Sequence, residues 1–298
     1  MSKSNMPNSG RRSLPSLFLI ALFALLAGCS SLRLAYNNGD TLLYWWIDGY
    51  IDLTSDQKSA VKEDIDELFH WHRKTQLRDY VQILQNAQRQ LAAGPSQADL
   101  QNDFDEIKNR TQLLLFKALP ELADLARKLE PDQITTLERK FASNNADFRK
   151  KNMKGDREAQ QKFRYKKSME QFELWFGNFT SEQEAVIRKA SDARPLDNTI
   201  WLEERQRRQN NILLAVRKIQ HEKLSKDATM AVLHKLIKDS FDRLEHSERK
   251  AFFDAAETGN IQLVLTVIQI ATPAQKAHAQ QRMQGWIGDF NNLAAAPR

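Results

Sequence analysis

"LTSDQKSAVKEDIDELFHW", Leu53 to Trp71, carries both a helix start and the face that the helix has to bury. Thr54 stands three residues before Gln57, the spacing of a capping box, in which the hydroxyl takes an orphan amide and the glutamine side chain reaches back. Val61, Ile65, Leu68 and His72 then recur at steps of four and three, a helical period rather than the alternation of a strand.

The same start recurs three more times: Leu129-Glu130-Pro131-Asp132-Gln133, Phe179-Thr180-Ser181-Glu182-Gln183 and Ala271-Thr272-Pro273-Ala274-Gln275. Proline suits the first helical position of the second and fourth copies, where its missing N–H costs nothing. Helix capping accounts for these motifs on its own. A second reading is internal repetition: Thr54 aligned with Thr180 places Val61 opposite Ile187. Beyond four extra residues around Pro195, Trp71, Gln76, Arg78 and Ile83 fall opposite Trp201, Gln206, Arg208 and Leu213.

Outward from the motifs the chain keeps the helical period. Tyr80, Leu84, Ala87 and Leu91 form one stripe, Leu100, Phe104, Ile107, Thr111, Leu114 and Ala118 another, and Leu122, Leu125 and Leu129 a third. Only 10 glycines and 8 prolines interrupt 298 residues rich in good helix formers. Gly94-Pro95-Ser96 reads as a turn with Ser96 as the next cap, Pro120 as a kink, Ala193 to Asp197 as a break, and Glu257 to Asn260 as a weaker one. The run "IQLVLTVIQI", Ile261 to Ile270, is β-branched, but its helical surroundings make it a buried helix too short to cross a bilayer. The expected fold is an all-α, elongated multi-helix bundle, with residues 40–155 and 156–298 as two similar helical halves.

The N-terminus reads as an export signal. Lys3, Arg11 and Arg12 precede an apolar core from Leu14 to Leu26, well short of the ~20 residues a membrane span needs. Leu26-Ala27-Gly28-Cys29 resembles the lipobox of bacterial lipoproteins. That resemblance implies cleavage of residues 1–28, diacylglycerol on the Cys29 thiol and an acylated (palmitate-type) amino group. An ordinary secretory signal before a free cysteine is the alternative. Three acyl chains anchor firmly where one binds only marginally. Ser30, rather than aspartate, as the next residue resembles the pattern sent to the outer membrane, so the expected location is its periplasmic face. Residues 29–39 then form a lipidated tether, and no thiol remains for a disulfide.

Loss of the signal lowers the formal net charge from +6 to +3, which removes the main support for a nucleic-acid partner. No phosphate loop, nucleophile elbow or catalytic cysteine is present, no cofactor motif is found, and the chain is read as not an enzyme. His70 and His72 point to different helix faces. Glu67-Leu68-Phe69-His70 is a lone Glu-x-x-His element without the second one that di-iron bundles use, so no metal site is expected. Glu63, Asp64, Asp66 and Glu67 spread over several faces of one helix and read as a solvated surface.

The candidate binding residues are the basic run Arg149, Lys150, Lys151, Lys154, Arg157, Lys162, Arg164, Lys166 and Lys167, interleaved with Phe148, Phe163 and Tyr165. Such a surface attracts lipid phosphates or acidic polypeptide; a solvated helix face with a linker at Gly155 is the plainer reading. The aromatic run Tyr36, Tyr44, Trp45, Trp46 and Tyr50 suits a membrane interface, but Leu42, Leu43, Trp46, Ile47 and Tyr50 are also spaced as a short amphipathic helix that closes the bundle, and packing is the favoured reading.

The lipobox, Leu34-Ala35-Tyr36-Asn37-Asn38, Trp45-Trp46, the Leu-Thr-x-x-Gln start and Trp71-His72-Arg73 together resemble a bacterial lipoprotein family, domain of unknown function 6279. This implies a lipid-anchored helical envelope protein and supplies no activity. Leu53 to Gln57 and Phe179 to Gln183 also resemble the LTxxQ family of periplasmic helical chaperones, which implies a binding role toward polypeptide clients; this chain is about twice their length and lipidated. The leading expectation is an envelope binding or assembly protein with a protein or polypeptide partner. A lipid- or lipopolysaccharide-handling lipoprotein comes second, and a cell-envelope enzyme last.

Overall fold

The computed structural model describes residues 32–242 and 248–296. The expected signal and Cys29 lie outside the described residues, within 1–31. Residues 32–37 are helical and are followed by twelve helices among the described residues: α1 (Gly39–Ile51), α2 (Ser55–Trp71), α3 (Leu77–Ala93), α4 (Gln97–Lys117), α5 (Leu119–Arg127), α6 (Pro131–Asn152), α7 (Arg157–Phe176), α8 (Ser181–Ala193), α9 (Asn198–His221), α10 (Lys226–Asp242), α11 (Lys250–Ile270) and α12 (Pro273–Ala295). A π-helical segment, His72–Gln76, joins α2 to α3. No strand occurs among the described residues, so the all-α expectation holds.

All four motifs begin helices (α2, α6, α8 and α12), and in each the N3 glutamine Oε1 accepts the cap backbone N–H, at 3.0, 3.0, 3.0 and 2.8 Å. Capping uses only half of each side chain. Gln57 and Gln133 also donate to each other, Nε2 to Oε1, at 3.0 and 2.7 Å. Each spends its second amide hydrogen on the carbonyl just ahead of the other's motif, Lys128 for Gln57 and Asp52 for Gln133. Gln183 and Gln275 repeat the arrangement, with Ile270 and Asn178 supplying the carbonyls. Every donor and acceptor of all four amides is thereby used.

Beneath the first pair lies a core of Ile51, Leu53, Val61, Ile65, Leu129, Ile134 and Leu137, closed by Leu213 and Val216 of α9. Beside the second lie two clusters, Met169, Ile187, Leu263 and Val267, and Leu91, Ile268, Ala279 and Met283. The residue four beyond each paired glutamine (Val61, Leu137, Ile187, Ala279) is buried every time.

The helix contacts recur along the chain. α1 packs on α2 and α6 as α7 packs on α8 and α12, and α2 meets α5 as α8 meets α11. The most extensive contact joins α3 to α12; α5 also packs on α10, and α6 on α9.

Several local readings need correction. Glu257 to Asn260 is not a break but lies within α11; Gly259 is there because a Cβ would stand 3.0 Å from Arg194 Cγ. Pro120 does not bend a continuous helix: α4 ends at Lys117, and proline occupies the first turn of α5. The α4 stripe is not buried. Phe104 and Ile107 are 47% and 53% exposed, and α4 buries no residue fully.

Replacing Gln57 by glutamate keeps the local capping bond but removes both amide donors and buries a charge. Urea denaturation should show a loss of about 3 kcal/mol or more. Gln183→Glu should cost less, because Gln183 is only half-buried.

Candidate functional site

The segment expected to be a loose tether is docked. Within residues 32–37, Arg33 Nε lies 2.9 Å from Asp289 Oδ1, a carboxylate buried in α12. Burial pushes the Asp289 carboxyl upward, and Arg33 opposes that shift. Tyr36 Oη is 2.8 Å from His72 Nδ1, and Arg73 donates from Nη2 to Asn37 Oδ1 at 3.2 Å while its guanidinium sits 5.3 Å from the Tyr36 ring centre. The Tyr36-Asn37 and His72-Arg73 pairs, 36 residues apart in sequence, thus form one contact. The π segment makes it possible, since its wider turn aims the buried Arg73 at Tyr36 and Asn37. Gly39 is required for close approach: a Cβ there would stand 2.7 Å from Phe69 Cε1. Tyr80 and Phe290 continue the aromatic contacts from His72 into α12.

α1 follows directly and has two faces. Leu43, Ile47 and Tyr50 pack on the core as the packing reading expects, joined by Tyr44, but Leu42 and Trp46, which that reading put on the same face, are exposed. Leu42, Trp45 and Trp46 face outward, the two tryptophans 63% and 59% exposed.

Behind α1 an apolar groove of about 250 Å³ opens between α1, α2, α4 and α5. Leu43, Trp46 and Ile47 line one side, Val61, Ile65 and Leu68 the next, and Leu114, Leu115, Leu122 and Leu125 the far wall. Its polar lining is Asp64, Glu67 and Glu121 against the single ammonium of Lys117. The Asp64 carboxyl is pushed upward first by burial and then by Glu121, Glu67, Asp124 and Glu63. Glu121 Oε2 is buried with no hydrogen-bond partner. The sequence reading of Glu63 to Glu67 as solvated surface therefore misses what Asp64 and Glu67 face. A second, more polar depression continues from it, sharing Val61, Asp64 and Leu125 and adding Asp56, Asp124 and Glu130 together with Lys128.

The basic run occupies the end of α6, the turn at Gly155 and the start of α7. Arg149, Lys150, Lys151, Lys154, Arg157, Lys162, Lys166 and Lys167 are exposed, with Lys167 paired to Glu170 at 2.8 Å. Arg164 does not belong to this surface. Its guanidinium donates to the carbonyls of Ser191, Arg194 and Pro195 at the C-terminus of α8, where unpaired carbonyls attract a cation. Burial lowers its pKa. Arg194, beside it, is pushed down to about 10 by burial and by Arg164, and donates to Asn260, Ser168 and Ser191. No cluster suited to a metal ion occurs among the described residues, and none of the described helices is long and apolar enough to cross a membrane.

Burial also lowers the His72 pKa below 6.5. The unfolded chain then takes up a proton near pH 6.5 that the folded chain resists, so this contribution to stability is full above that pH and fades as pH falls through the lowered value. The melting temperature should drop between pH 7.5 and 5.5, and His72→Gln should flatten the drop.

Comparison with curated proteins and with solved structures finds no match. A family model described as a family of unknown function (DUF6279) matches residues 49–251, from the end of α1 to the start of α11. With about two thirds of its length matched, the chain belongs to that family of unknown function.

Proposed function

We propose that this protein is a lipid-anchored envelope protein, held through Cys29 on the periplasmic face of the outer membrane, that binds a protein or polypeptide partner close to the bilayer and is not an enzyme. The observation that carries this reading is the docked N-terminal segment. Arg33, Tyr36 and Asn37 are fixed to α12 and the π segment, so a lipid on Cys29 would hold the bundle with little slack. Cys29 stands three positions before the first described helical residue, Leu32, a reach of roughly 10 Å. α1, with Leu42, Trp45 and Trp46 outward, is then the first surface offered at the interface, where tryptophan is favoured.

The exposed cations at the α6–α7 turn favour a second reading, a lipid- or lipopolysaccharide-handling lipoprotein. Basic side chains near an anionic surface contribute about 1 kcal/mol each.

Two measurements separate these readings. Photo-crosslinking residues at Trp45 and Lys151 in living cells should yield a reproducible polypeptide adduct; adducts with lipid alone would favour the second. Reversing Arg149, Lys151, Lys154 and Arg157, all exposed, should leave the fold intact. If the turn binds anionic lipid, that reversal should reduce vesicle association at low salt more than tenfold; unchanged association would remove the turn from the account.

A further inference from the structure

We infer that the groove between α1, α2, α4 and α5 receives a polypeptide segment that is apolar on one face and basic beside it, an amphipathic cationic helix being the simplest form. This deepens the proposed function and rests on its polypeptide-binding reading.

Three observations converge. The first is size. A cavity of about 250 Å³ falls below the ~300 Å³ lower bound usual for a whole small-molecule ligand, but it suits one or two anchoring side chains of something lying across its mouth. The second is the uncovered stripe that leads into it. Phe104 and Ile107 share a face of α4 with Thr111, Leu114 and Ala118, and the last two line the groove. From residue 104 to residue 114 the stripe runs roughly 15 Å along the helix, enough for nearly three turns of a partner helix to contact. Laying an apolar helical face into such a groove is a common mode of peptide recognition.

The third observation decides the partner's charge. Asp64, Glu67 and Glu121 face one another across the groove with only Lys117 among them, and Glu121 Oε2 is buried without a donor. A lysine or arginine flanking the apolar face of a bound segment would supply that donor and relieve the repulsion among the carboxylates. A fatty acid or phospholipid brings its own negative charge to the same rim and is disfavoured. The acidic groove also stands apart from the overall balance, since the chain is net basic.

The test uses the full-length lipidated protein in phosphatidylcholine vesicles with a photo-crosslinking residue at Leu113, which is exposed on α4 next to the lining residue Leu114. The probes are a leucine/lysine peptide of helical spacing and its leucine/glutamate counterpart. The leucine/lysine peptide should give at least tenfold more protein adduct. Trp46→Ala, and separately Asp64→Asn with Glu67→Gln, should each reduce that adduct severalfold. The rim variant removes repulsion, so its melting temperature should equal or exceed that of the parent, and loss of adduct cannot be ascribed to unfolding. Equal labelling by the two peptides, insensitivity to the rim variant, displacement by palmitate, or absence of adduct would each overturn the assignment. If the Leu113 probe fails while the Trp45 or Lys151 probe still captures a polypeptide in cells, the groove assignment falls and the binding function stands. If none of the three captures one, both fall.

Discussion

A side-chain amide has two donor hydrogens and two acceptor lone pairs, and the fold depends on four glutamines that have all of these satisfied at once. Gln57, Gln133, Gln183 and Gln275 each close their own helix start and also grip the start opposite. Glutamate could complete the capping box, but it has no amide hydrogens for the opposing carbonyl and amide. Asparagine carries the same groups on a side chain one methylene shorter. The chemistry therefore fixes residue type as well as spacing. Each pair brings two chain segments that are distant in sequence into one place; one turn further along, Val61 and Leu137 share a core cluster, while Ile187 and Ala279 are each buried in a cluster beside the second pair. Polar pairing sets which helices meet, and burial of Val61, Leu137 and Ile187 supplies much of the energy that keeps them together.

The second consequence is interlocking. Gln57 with Gln133 joins α2 to α6, and Gln183 with Gln275 joins α8 to α12. The most extensive packing face, however, runs from α3 to α12, and α9 also packs along α6. Neither set of six helices completes its core alone: Leu213 and Val216 of α9 close the first cluster, and Leu91 of α3 lies in the core beside the second pair. Arg33 and Tyr80 then tie the N-terminal segment and the start of α3 to Asp289 and Phe290, near the end of the described chain. The position of the N-terminal segment is thus set by contacts with α12, more than 200 residues further along the chain.

What was legible in the sequence follows from the range of each interaction. Helix starts are local, so Thr54, Ser96, Thr180 and Thr272 could be read as caps from spacing alone, and Gly94, at φ +84°, as the stop before Ser96. The period of apolar residues marked α2 and α3 correctly, yet it overstated α4, because a stripe shows that a face is apolar and not that a neighbour covers it. Gly259 was misread because glycine serves both turns and close packing, and the deciding neighbour, Arg194, is 65 residues away. Arg164 was grouped with the surface cations because charge runs do not reveal direction; a break at Pro195 following a helix end was the available hint that carbonyls there needed a donor. The glutamine pairs were half legible. Four repeats of glutamine, never glutamate, at N3 were visible, but which copy meets which depends on the tertiary path.

Charge placement adds a constraint that net charge conceals. Eight exposed cations gather around the α6–α7 turn, while the carboxylates of Asp64, Glu67 and Glu121 gather around an apolar groove bounded by α1, α2, α4 and α5. At physiological ionic strength screening acts over ~8 Å, so exposed charges farther apart than that act largely independently. The paired glutamine amides that join the helix starts are neutral and draw on no charge from either region. Had buried ion pairs joined the helix starts instead, their desolvation would have cost stability at each junction, and basic and acidic surface charge would have been drawn into the core. Neutral amides at these four helix starts leave the exposed cations of the α6–α7 turn and the groove carboxylates out of those junctions, so each region can attract a partner of opposite sign without disturbing them.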